Sequence, residues 1–175
     1  MNKVYNINRR RFLELFGCSC CGVFLGSCDT VPITERKQLT LYPESVINRQ
    51  AANAYAKFKT KVKLINSGKQ LEEVKETGKK IQDAVSVFFS KKGSKDPTEN
   101  FDWEYVLVNN KKVKNAFCMP GGKIAVFTGI LDVAKNEDGL ATIMGHEIAH
   151  AVAKHSVERM SQAMAVNLGT QVADI

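Results

Sequence analysis

The sequence predicts one α+β domain, mostly helical, with a small antiparallel sheet set before the last helix. Three observations carry this. Apolar residues recur at threes and fours from Pro43 to about Leu64, and again from Leu71 to Phe88. Three short runs rich in aromatic and β-branched residues follow between Trp103 and Phe127. A helical pattern then returns after Asn136. At 175 residues the chain has room for one compact domain and too little for two ordinary ones. With 44% apolar and 25% charged residues, wholesale disorder is excluded. No uncharged apolar run approaches the ~18 residues of a membrane span, which excludes a protein crossing a bilayer many times. The net charge of +7 falls to 21 cations against 17 anions once residues 1–27 are set aside. So mild an excess suits solubility and weak attraction to anionic surfaces. It is no nucleic-acid footprint, and none is expected as a partner.

Residues 1–27 read as a signal peptide. Arg9-Arg10-Arg11 precede an apolar stretch from Phe12 to Leu25, broken by Glu14 and small residues. The stretch ends in Leu25-Gly26-Ser27-Cys28, which resembles a bacterial lipobox. Cys28 is then the lipidated residue, and its acyl chains supply about 0.8 kcal/mol of membrane affinity per buried CH₂. Asn8 to Leu13 also resembles a twin-arginine export signal, with Asn8 and Glu14 departing from that pattern. A short uncleaved anchor helix is the alternative. Export places the protein in the cell envelope, membrane-anchored and facing the periplasm, with inner or outer membrane left open. Four of the five cysteines lie in this region, and Cys118 reads as a small buried apolar residue.

Residues 28–43, with Pro32, Pro43 and no sustained period, read as a lipid-anchored tether, and residues 44–175 as the N-terminal part of the domain. The first helix carries Val46, Ala51, Ala54, Tyr55, Phe58 and Val62 on its apolar face. Asn66-Ser67-Gly68 is a turn, and a second helix presents Leu71, Val74, Gly78, Ile81, Val85 and Phe88 before Lys91-Lys92-Gly93 ends it. Trp103 to Val108 is a strand by composition. Val113 to Met119 and Lys123 to Phe127 form two more, joined through Pro120-Gly121-Gly122. A short helix spans Ile130 to Ala134, and Asn136 caps the next, with Glu137 and Asp138 in its first turn.

That last helix carries the chemistry, in His146-Glu147-Ile148-Ala149-His150. Two His four residues apart lie about 40° apart around a helix axis and ~6 Å along it. Both imidazoles can therefore converge on one zinc ion. Glu147 sits about 100° round from His146, flanking the metal without ligating it. There it can take a proton from a metal-activated water and pass it to a leaving amine. Apolar residues on both sides of the pentad suggest a buried helix, where two imidazoles and a carboxylate need a compensating partner. An accidental pattern with hydrogen-bonded histidines is the competing reading. Lesser expectations attach to three further places. Lys123, Ile124, Ala125 and Val126 could pair with an extended substrate as an edge strand, or be ordinary core. Gly145 inside a helix suggests close packing beside the site. Glu158 and Arg159 could brace a helix end or stay solvated.

The pentad followed by His155-Ser156-Val157-Glu158-Arg159 resembles zinc peptidase family M48, as does Asn115 to Gly129 with the segment before that family's active-site helix. Thr34 to Leu39 resembles the corresponding segment of its lipoprotein members, except that Glu35 stands where a Gly is usual. The resemblance implies a zincin-like (gluzincin) fold and a metalloendopeptidase with one Zn²⁺ per chain. His146 and His150 would be ligands and Glu147 the general base. Extended protein or peptide segments, misfolded or misassembled, would be its substrates. The family takes its third ligand from a Glu some tens of residues downstream, past Ile175. No local residue replaces it well: His155 faces about 180° away from His146 if the helix continues, and Glu158 and Asp174 are poorly placed. A catalytically impaired envelope lipoprotein acting as chaperone or adaptor is therefore the second reading. A structural zinc protein is the third, disfavoured because such sites close with four ligands.

Overall fold

The structure, a computed structural model, describes residues 28–31 and 36–162. The expected signal peptide and Asp174 lie outside the described residues. Parts of the segment read as a tether are strands. Strands β1 (Cys28–Thr30) and β2 (Lys37–Leu39) pair antiparallel, with Thr30 opposite Lys37. Val31 and Gln38 are buried, and the Leu41 N–H donates to Ser161 Oγ at 3.0 Å. Arg36 reaches Glu158 through both guanidinium nitrogens, at 2.8 and 2.5 Å. A fork-to-carboxylate pair of this kind fixes orientation as well as distance.

Helix α1 (Glu44–Lys59) buries Ile47, Ala51 and Tyr55, while Ala54 is exposed. It stops short of the expected Leu64 because Leu64–Ile65 form a strand, β3, paired with Val108 and Leu107. Tertiary pairing overrides the helical period there. Helix α2 (Lys69–Lys92) ends as expected at Gly93, whose left-handed φ of 65° lets its N–H and that of Ser94 return to the last turn. Its buried terminal aromatic is Phe89, at 1% exposure, and not Phe88, at 49%.

The remaining strands are β4 (Glu104–Val108), β5 (Ala116–Met119) and β6 (Lys123–Phe127), in the order β3-β4-β6-β5. The expected antiparallel sheet is a mixed one. β5 and β6 pair antiparallel as a hairpin, but β6 runs parallel to β4, with Tyr105 opposite Ile124. β5 is thereby pushed to the edge and β6 enclosed. Ile124 and Val126 pack with Leu107, Met144 and Ile148 on one face, whereas Ala125 packs with Tyr55 and Val108 on the other. The two-residue period of a strand explains the split. Both faces of the sheet are therefore covered, α1 on one side and α2 with α4 on the other. Tyr55 pins α1 down by donating its hydroxyl to the Ile124 carbonyl at 2.5 Å.

Helix α3 (Thr128–Ala134) follows β6 directly, and α4 (Glu137–Val152) carries the His-Glu-His pentad. No helix among the described residues is long and apolar enough to cross a membrane.

Candidate metal centre

Helix α4 starts where the sequence predicts. The Asn136 side chain accepts from the Gly139 N–H at 2.9 Å, and Glu137 and Asp138 follow in the first turn. Leu140, Met144, Ile148, Ala151 and Val152 hold the helix to the core. It is not buried all round: Thr142, His146 and Ala149 form an exposed face, with Glu147 and His150 half-buried beside it. Uniformly apolar composition hid this one-sided burial, since alanine and glycine are as readily exposed as buried.

His146 Nε2 lies 3.1 Å from His150 Nε2, with the rings steeply inclined at 81°. Two nitrogens each ~2.05 Å from a tetrahedral zinc would be about 3.3 Å apart. The spacing of the pair is thus close to what one zinc ion requires. Among the described residues no third His, Cys, Asp or Glu joins the two to complete a ligand set.

The chain turns immediately after the second histidine. The Ala153 N–H closes on the Ala149 carbonyl, the Lys154 N–H on that of Ala151, and Lys154 takes a left-handed φ of 55°. Helix resumes over 155–162 in a new direction. His155 consequently does not face away, as a continued helix would require. Its Nδ1 lies 2.7 Å from His150 Nδ1, on the ring edge opposite His146. Burial and the neighbouring His150 hold its pKa below the usual imidazole value, favouring the neutral ring. Ala151-Val152-Ala153-Lys154 contains no Gly or Pro to announce the break, which is why the sequence does not reveal this contact.

Strand β5 lies against α4, with Cys118 half-buried between sheet and helix. Burial, and behind it the Glu147 carboxylate, pushes the Cys118 thiol up to about 12. Lys123 to Val126 form no edge, because β6 is paired on both sides and all four residues are buried. Lys123, with its side chain 6% exposed, serves the fold through a 2.6 Å ion pair with Asp102. A Cβ on Gly145 would meet nothing within 4 Å, so no close packing demands glycine there. Glu158 pairs with Arg36 and not with Arg159, which is exposed.

A model of peptidase family M48 matches residues 75–174. The mitochondrial metalloendopeptidase OMA1 of Schizosaccharomyces pombe is 30% identical over 165 residues, 93% of this chain and 46% of that protein. OMA1 of Arabidopsis thaliana is 50% identical over 64 residues, 37% of this chain and 13% of that protein. The beta-barrel assembly-enhancing protease of Escherichia coli is 33% identical over 58 residues, 33% of this chain and 12% of that protein. The chain thus spans less than half the length of each of these relatives.

Proposed function

Because the chain belongs to peptidase family M48, we propose that it is a zinc-dependent metalloendopeptidase of the bacterial cell envelope, acting on misfolded or misassembled proteins. The convergence of His146 Nε2 and His150 Nε2 to 3.1 Å on the open face of α4 carries the reading. A zinc ion held by His146 and His150 would polarise the scissile carbonyl and lower the pKa of a water toward neutrality. Glu147, set between its two histidines, takes the proton of the attacking water and returns it to the departing amine nitrogen. A later Glu, as in the family, would complete the ligand set.

Substrate selection follows from the sheet. Only an extended peptide presents the alternating donors and acceptors that an edge strand can pair with. In the observed strand order the edge strand beside α4 is β5, and not β6. The basic-then-apolar N-terminus and Cys28 support export and lipid anchoring, facing the periplasm.

The test uses the full-length chain. Metal analysis is expected to return one zinc per chain, and casein to be cleaved. Glu147→Gln should retain the zinc and lower kcat by about 10²–10⁴-fold. Undiminished cleavage by that variant, or no zinc uptake at micromolar metal, would sink the proposal. Zinc uptake with suppressed client aggregation and no cleavage by the wild type would transfer the reading to a chaperone or adaptor.

A further inference from the structure

We propose that His155 is a positioning residue for the metal centre: it accepts a hydrogen bond from His150 Nδ1 and so fixes the ring and tautomer that present Nε2 to the ion. The inference rests on the reading of His146 and His150 as ligands. His155 touches His150 Nδ1 at 2.7 Å, while His150 Nε2 faces His146 at 3.1 Å. The two nitrogens of an imidazole point in divergent directions, so a group seated on Nδ1 cannot ligate the ion bound at Nε2. His155 is therefore a partner of the ligand and not a ligand.

The sense of the hydrogen bond follows from the proton count. A ligating Nε2 carries no proton, so the single N–H of neutral His150 resides on Nδ1 and donates. His155 Nδ1 must then be the bare, accepting nitrogen, and its own N–H sits on Nε2. Metal-bound histidines nearly always donate their second N–H to an outer partner, which orients the ring and raises its basicity. The fold holds His155 in place to do this. The reversal at Lys154 swings it toward His150, and the segment bearing it is clamped by Arg36 to Glu158 and by the Leu41 N–H to Ser161. The N-terminal hairpin is thus part of what keeps the metal ligand aligned.

The experiment measures zinc affinity of the full-length chain by competition with a chromophoric chelator. His155→Ala should weaken binding by about 10–100-fold. His155→Asn, whose amide oxygen can stand near the lost Nδ1, should recover most of that loss. Circular dichroism of the metal-free proteins confirms that both variants are folded. In parallel, ¹⁵N–¹H correlation spectra of the zinc-loaded wild type should show the proton on Nδ1 of His150 and on Nε2 of His155, a readout that needs no variant to fold. Equal affinity of wild type and His155→Ala overturns the inference. So does an equal loss in Ala and Asn variants, which marks packing and not an acceptor, and so does a His155 proton found on Nδ1. If the wild type takes up no zinc, the metal-centre reading fails and this inference falls with it.

Discussion

Two glycines on helices α2 and α4 should respond to the same substitution with opposite signs. An ideal Cβ on Gly78 would lie 2.1 Å from Cε1 of Tyr105, where ordinary contact needs about 3.5 Å. The ring would have to retreat by about 1.4 Å, the difference between those distances. The ring lies parallel to that of Trp103, with centroids 6.3 Å apart and planes 6° apart. Overpacking of this kind costs about 1–3 kcal/mol, and a clash this close belongs at the upper end. Exchanging Gly for Ala in a helix returns about 1 kcal/mol, leaving a net loss of about 2 kcal/mol. Around Gly145 the added methyl meets nothing within 4 Å, so Gly145→Ala should gain about 0.5–1 kcal/mol. For a chain of this size, 1 kcal/mol moves Tm by about 2–4 °C. Thermal and urea unfolding followed by circular dichroism should thus place Gly78→Ala about 4–8 °C below wild type and Gly145→Ala about 1–4 °C above it. Zinc affinity should be unchanged in Gly145→Ala, although His146 is its neighbour. Equal upward shifts in the two variants would refute the packing argument for α2 against β4.

Other expectations are simpler. The Arg36 guanidinium, through its hydrogen bonds, holds the Glu158 carboxyl below its ordinary value of 4.5. The stabilisation from this pair is therefore complete above that value and is lost as pH falls through the depressed one. Glu158→Gln should lower Tm at neutral pH, with the gap to wild type closing in acid; a gap constant with pH would contradict the pairing. Asn136→Ala removes the cap of α4 and should cost about 1 kcal/mol by urea denaturation, with Asn136→Asp recovering it. The same loss in both variants would show that it does not come from the capping oxygen.

The pentad was legible because it is local. Once residues 137–152 are helical, a four-residue spacing places two imidazoles together whatever the rest of the chain does. The Asn136 cap and the bounds of β6 were legible for the same reason, being written in neighbouring residues. Strand order was not. Nothing within Lys123 to Phe127 says that β4 will dock beside it in parallel and displace β5 to the rim, and so edge and core both stayed open for that strand. Leu64–Ile65 continued a helical period until a distant partner claimed them. His155 was misplaced because the chain reverses at a lysine, a residue that seldom takes positive φ. A backbone angle set by tertiary contacts leaves no trace in composition.

The open side of β5 also has to discourage unwanted guests. A bare row of amides and carbonyls beside an apolar sheet will zip onto its own counterpart in another copy as readily as onto a client, and such rim-to-rim joining seeds aggregation. Here the row is only Ala116–Met119, and it ends at Pro120, which brings no N–H to a growing ladder. So brief a rim offers a visiting chain, client or second copy, few backbone hydrogen bonds.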